Sequence, residues 1–157
     1  MTAVLAIDPG TERSAWLLLE GGTPSLFGLV PNAELLDMLS AGAARQSAAV
    51  AIERVESYGM PVGREVFDTV LWAGRFCQAV APAAVVWVPR REVKLELCGS
   101  PRANDATVRQ ALIDRFGGSS AVGRKASPGP LYGIHADVWS ALAVAVTAEA
   151  MLGRDAS

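Results

Sequence analysis

Histidine and cysteine are scarce in this chain. It has one histidine, His135, and two cysteines, Cys77 and Cys98, in 157 residues. Neither cysteine sits in a Cys-x-x-Cys pair, and a single histidine cannot complete a four-ligand zinc set with them. That argues against a structural zinc centre, and the thiols are expected to be reduced. Long apolar runs are missing too. Charges or glycines break every hydrophobic stretch well short of the roughly 20 residues that cross a bilayer, so no membrane partner is expected. The first strand pattern has no basic segment and no cleavage site ahead of it, and a cytoplasmic location is expected. Positive charge is not in excess either. The 14 Lys and Arg are outnumbered by 16 Asp and Glu, for a net charge of −2. This argues against a protein that coats nucleic acid by bulk charge, although acids grouped at a metal site would mask a basic surface around them.

What is present fills a core. The sequence is 51% hydrophobic and 19% charged, which suits a folded chain. Its length suits one domain over residues 1–157, with no internal repeat and no linker. Strand patterns come first, at residues 3–8, 13–19 and 25–30, with Gly21-Gly22 as the hairpin turn between the second and third. Asn32 is expected to cap a helix reaching about residue 41, with Leu35, Leu36 and Leu39 at helical spacing. A strand at 48–53, a loop at 58–63 and a helix at 64–80 follow. In that helix Val66, Phe67, Val70, Leu71, Gly74 and Cys77 share one face. A strand at 84–88 leads through Pro89 into a short helix holding Arg90, Arg91 and Lys94. Asn104 or Asp105 caps the next helix. Residues 117–130, rich in Gly, Ser and Pro, are expected to form a mobile loop. A last helix over about residues 135–151 and a frayed tail complete the chain. This order gives an α/β fold, a mixed sheet with helices on both faces.

Three of these elements carry a carboxylate at one end. Asp8 closes Ala3-Val4-Leu5-Ala6-Ile7-Asp8 just before Pro9-Gly10-Thr11, and Glu53 closes Ala48-Ala49-Val50-Ala51-Ile52-Glu53. Asp137 opens the apolar helix beginning Val138-Trp139-Ser140. Acids delivered by separate rigid elements suit hard divalent cations, which take oxygen ligands. Two such ions roughly 3.5–4 Å apart activate water on one side of a phosphodiester and stabilise the leaving oxygen on the other. Each acid also has a plainer role open to it: Asp8 as a turn cap, Glu53 as a partner of Arg54, Asp137 as a helix cap. His135, just ahead of Asp137, reaches the site or a scissile phosphate if the helix starts at Asp137. Tyr58, in a glycine-flanked loop beside Glu53, is the aromatic placed to touch DNA. Arg54, Arg90, Arg91, Lys94, Arg124 and Lys125 are candidate phosphate contacts around the acids.

Four stretches in order carry a resemblance: Ile7-Asp8-Pro9-Gly10-Thr11, Ile52-Glu53-Arg54-Val55, Pro89-Arg90-Arg91-Glu92-Val93-Lys94 and Asp137-Val138-Trp139-Ser140-Ala141-Leu142-Ala143. Through them the chain resembles the RuvC-type Holliday-junction resolvases of the ribonuclease-H-like superfamily, most of all the short forms carried by bacteriophages. The resemblance implies a mixed five-stranded sheet, an antiparallel three-strand meander plus parallel strands, flanked by helices. It implies a Mg²⁺- or Mn²⁺-dependent endonuclease with two ions per site. It further implies a homodimer that nicks four-way DNA junctions symmetrically, in a bacterial host's cytoplasm if phage-encoded. Asp8, Glu53 and Asp137 match the family's metal-binding acids, and Lys94 matches a basic residue near them that holds a phosphate or stabilises transition-state charge. The helix at 64–80 matches the element that pairs across the dimer.

Three positions depart from the family pattern. Ser140 stands where members often carry another Asp, leaving Glu56 or His135 to contribute. Asp105 stands near a family lysine, and is read as a helix cap. Glu56 stands where an aromatic wedge is common, leaving Tyr58 or Met60 for that part. Other readings remain open: a branched-DNA endonuclease that also cuts forks or flaps, a ribonuclease-H-like enzyme acting on RNA, or a protein that binds junctions without cutting. The Asp-Pro-Gly-Thr motif is also similar to the phosphate loop of sugar kinases and actin-like ATPases, which need two lobes where this chain has one.

Overall fold

The computed structural model describes residues 2–157. Strands β1 (Ala3–Asp8), β2 (Arg13–Glu20) and β3 (Thr23–Pro31) form the antiparallel meander. Gly21 and Gly22 both have positive φ, 58° and 80°, the backbone that a tight primed hairpin turn requires. Strand β4 (Ala49–Arg54) lies parallel to β1, and β5 (Val85–Pro89) parallel to β4. The sheet order is β3-β2-β1-β4-β5, and helices cover both faces. The chain therefore folds as the expected mixed five-stranded α/β sheet.

Alternation along the strands sorts the core into two layers. On one face Leu5, Ile7, Val50 and Ile52 pack with Leu35 and Leu39 of α1 (Asn32–Ser40) and with Ala73 and Phe76 of α2 (Arg64–Ala79). On the other, Val4, Ala6, Ala15, Leu17 and Ala51 pack with α3 (Arg90–Cys98), α4 (Asp105–Arg115) and α6 (Val138–Asp155). Residues 141–148 of α6 are all buried. Ala141, Ala143, Ala145 and Ala148 are small enough to bring this helix close to β1 and β2, and an all-apolar helix of this kind belongs inside. Burying side chains such as Leu142 contributes roughly 1.5–3 kcal/mol each.

Several boundaries differ from the sequence reading. Strand β3 takes in Pro24 and ends at Pro31 because pairing with β2 runs from Thr23 to Pro31. Asn32 does not cap α1. Pro31 holds that position, and the Asn32 side chain turns to the β1–β2 connection instead. Asp105 is not the cap of α4 either. Asn104 is, in a reciprocal capping box with Thr107. Residues 117–130 are ordered into α5 (Ser119–Val122) and a two-stranded hairpin, β6 (Gly123–Arg124) with β7 (Ser127–Pro128). Gly129 packs so tightly that a Cβ there would overlap the Ala121 carbonyl. The last helix begins at Val138, not 135, and stays helical to Asp155, where Arg154 pairs with Glu96 of α3 at 2.8 Å.

Candidate active site

The strand register places the first two acids. Ile7 pairs with Ile52 across β1 and β4, so the next residues, Asp8 and Glu53, come side by side. Ile7 and Ile52 face the α1–α2 layer, which turns Asp8 and Glu53 to the face covered by α6. The Glu53 carboxylate raises the Asp8 carboxyl, by hydrogen bonding and by its charge. Asp137 holds the N-cap position of α6 but makes no side-chain cap bond, so its carboxylate is free to act on the cleft, and its charge reaches Asp8.

The turn after Asp8 is fixed from beneath by a small buried network. The Gly10 backbone N–H donates to Ser14 Oγ at 3.1 Å, Ser14 Oγ donates to Asn32 Oδ1 at 2.5 Å, and Asn32 Nδ2 donates to the Gly10 carbonyl at 2.9 Å. Ser14 and Asn32 are both buried. A Cβ on Gly10 would run into the Arg13 carbonyl oxygen, which is why glycine follows proline here. Neither Ser14 nor Asn32 stands out in the sequence as a site residue. Their signal was a buried-strand serine and an asparagine before a helix, which reads more simply as a cap.

Electrostatics make this an unusual corner. The Asp8 carboxyl is pushed up to about 10, first by its burial, then by the hydrogen bond and charge of Glu53 and by the charge of Asp137. Arg90, the first residue of α3, opposes that rise. Among the described residues no group of three His, Cys, Asp or Glu side chains is spaced to hold one metal ion. The donor set nevertheless fits a hard divalent cation. Mg²⁺ is commonly held by one or two carboxylates, with waters and substrate phosphates completing the shell. A buried carboxyl pressed by two negative neighbours readily exchanges its proton for a cation. Asp8 and Glu53 would be the direct ligands, with Asp137 beside them.

Two cavities flank this corner. One of about 310 Å³ is lined by Arg90, Asp105, Arg109, Asp137, Trp139 and Ser140. The other, about 170 Å³, is lined by Tyr58, Arg90, Arg91, Lys94 and Pro101. Arg90 belongs to both. Lys94 lies one helical turn on from Arg90, and it is Arg90 whose charge bears on Asp8. Tyr58 is half exposed and its hydroxyl accepts a hydrogen bond from the Arg91 N–H at 3.2 Å, which seats the 57–60 turn against α3. Tyr58 and Ala136 are the non-glycine residues with positive φ, at 52° and 47°. They sit in the loops on either side of the acids, where strained backbone gathers at working sites.

The remaining sequence candidates line neither cavity. Arg54 pairs with Glu56 at 3.6 Å, so Glu56 is engaged there rather than turned to Asp8. His135 is exposed in the loop before Asp137, its Nδ1 3.0 Å from the Gly133 carbonyl. Arg124 ends β6 and Lys125 lies in the hairpin turn, both exposed. Met60 is exposed beyond Tyr58. Arg109 was not a sequence candidate. It sits on an exposed helix face, and only its tertiary stacking on Trp139 marks it.

No protein-family model and no curated protein sequence matches this chain. Solved structures do. A T. thermophilus RuvC in complex with a Holliday junction substrate superimposes with a TM-score of 0.71 at 21% identity, covering 99% of this chain and 97% of that one. A second Thermus thermophilus RuvC structure gives a TM-score of 0.67 at 19% identity, again over 99% of this chain and 97% of that one. At such identities the likeness establishes the fold alone, which is RuvC-like.

Proposed function

We propose that the chain is a divalent-metal-dependent, structure-selective endonuclease that resolves four-way DNA junctions by paired nicks. The observation that carries this reading is the Asp8–Glu53 pair, brought side by side by the β1–β4 register at the C-terminal ends of two inner strands of a RuvC-like sheet, with the charge of Asp137 reaching it. A bound Mg²⁺ or Mn²⁺ supplies Lewis-acid activation of water and neutralises charge on the scissile phosphate. Asp8 and Glu53 hold the cations on rigid strand ends, and Asp137 closes the site from α6. Lys94 and Arg91 bind the backbone next to the cut, with Tyr58 against a neighbouring base. His135, Arg54, Arg124 and Lys125 are further DNA contacts or proton-handling groups around the rim. The four motifs support a relation to the phage-borne resolvases, with the cytoplasm as the place of action.

Paired cuts in a junction of two-fold symmetry call for two active sites related by the same symmetry. We place the second copy on α2. Phe67, Val70 and Leu71 lie together there, Phe67 and Leu71 at 64% and 63% exposure, and large exposed apolar patches mark contact surfaces. The cavity of about 380 Å³ lined by Val55, Val70, Ala73, Gly74 and Trp87 continues that surface.

The test is cleavage of a labelled synthetic four-way junction beside matched duplex, in Mg²⁺ and Mn²⁺. Wild type should give paired symmetric nicks in the junction alone. Asp8→Asn, Glu53→Gln and Asp137→Asn should each lower cutting by about a hundredfold or more while junction binding persists. A fully active Glu53→Gln protein would sink the assignment. Ser140 in place of an acid supports a second reading, a junction-binding protein that does not cut. Tight binding without nicking in either metal would select it.

A further inference from the structure

Arg90 leaves the sheet at the end of β5, beside the strand that carries Glu53. Its guanidinium pairs with Asp105 at the start of α4. The pair is one-sided: the Arg90 side chain is 21% exposed and that of Asp105 89%. An acid so fully in solvent gains little from an ion pair, and a negative charge on the rim of a nucleic-acid site repels the ligand. What the contact does accomplish is to fix where Arg90 points. Across the 310 Å³ cavity stands Arg109, its guanidinium carbon 4.6 Å from the centre of the Trp139 ring. Trp139 is buried in the first turn of α6, so the stacking holds Arg109 against a rigid surface. Among the described residues no carboxylate lies within ion-pair distance of Arg109. Asp137 and the Ser140 side chain complete the wall. Two guanidinium groups line one cleft, Arg90 paired with Asp105 of the same wall and Arg109 stacked on Trp139, and planar forks of this kind match the oxygens of a phosphodiester.

We propose that Arg90 and Arg109 clamp a phosphodiester of the DNA strand lying against Asp137, and that Asp105 is the positioning residue that keeps Arg90 in the clamp. This rests on the nuclease reading and extends it to residues on α4, where the rim acid becomes part of the site rather than a lost contact.

Junction affinity in EDTA across a salt series, with single-turnover cleavage in Mg²⁺ or Mn²⁺, separates the roles. Arg109→Gln should weaken binding in EDTA and lower the slope of log affinity against log salt by about one. Asp105→Asn should bind as tightly as wild type or more so, yet cut roughly tenfold or more slowly. In an Arg90→Lys background Asp105→Asn should add little, because a lysine has no fork to aim. Asp105 and Arg109 are both exposed, so these variants should fold. An unchanged salt slope in Arg109→Gln would overturn the clamp. Undiminished cutting by Asp105→Asn would overturn the positioning role. Either result with an active wild type would leave the nuclease reading standing. A wild type that neither binds nor cuts branched DNA would remove that reading, and the clamp with it.

Discussion

In the metal-free chain Asp8 holds its proton far above the range in which carboxyls normally release it. The unfolded chain gives up that proton near 3.8 and the folded chain near 10. Between those values the unfolded state sheds a proton that the folded state keeps. The stability from this group is therefore full below 3.8 and declines as pH rises toward 10. Melting curves in EDTA should show the wild type losing stability from about pH 5 to pH 9. Asp8→Asn, which cannot ionise, should melt higher at neutral pH with a flatter profile. Parallel profiles for the two would mean that Asp8 titrates as an ordinary carboxyl. Added Mg²⁺ should reverse the trend, because a cation competes with the proton and competes better as pH rises.

Elements differ in how far their own sequence determines them. The strands β1, β2 and β4 and the bounds of α2 follow from short apolar runs and a helical pattern that the core rewards directly. So does the meeting of Asp8 with Glu53, since both close small-residue strands that lie in register. Asn32, Asp105 and residues 117–130 resisted the same reasoning. Each has a local preference, for a cap or for a flexible loop, that a distant contact overrides: Ser14 and Gly10 claim Asn32, Arg90 claims Asp105, and Ala121 claims Gly129 and Leu131. The network around Asn32 joins β2, the Asp8 turn and α1. Asn32→Ala would leave the Ser14 hydroxyl proton without an acceptor and the part-buried Gly10 carbonyl without its Asn32 donor, so a loss of about 1–3 kcal/mol is expected, read by urea unfolding. Cleavage should fall as well, since the turn no longer holds Asp8. A neutral Asn32→Ala would show that water replaces the lost bonds.

At the scale of the whole molecule, α2 leaves an apolar face uncovered while α6 is buried through residues 141–148. The sequence shows one apolar stripe on α2 and apolar residues around α6, and the sheet covers the second and not the first. If the α2 face joins two copies, Phe67→Asp should shift sedimentation from dimer to monomer and turn paired cuts into single unpaired nicks. A monomeric wild type would refute the interface. The order of elements has one more consequence. Asp8 and Glu53 lie on strands that emerge from the ribosome early, but Asp137 arrives with α6, which follows every other element and must pack across β1 and β2 to deliver it. On the nuclease reading, a nascent chain has no complete cutting centre until α6 docks. A fragment that stops short of α6 should then leave DNA uncut.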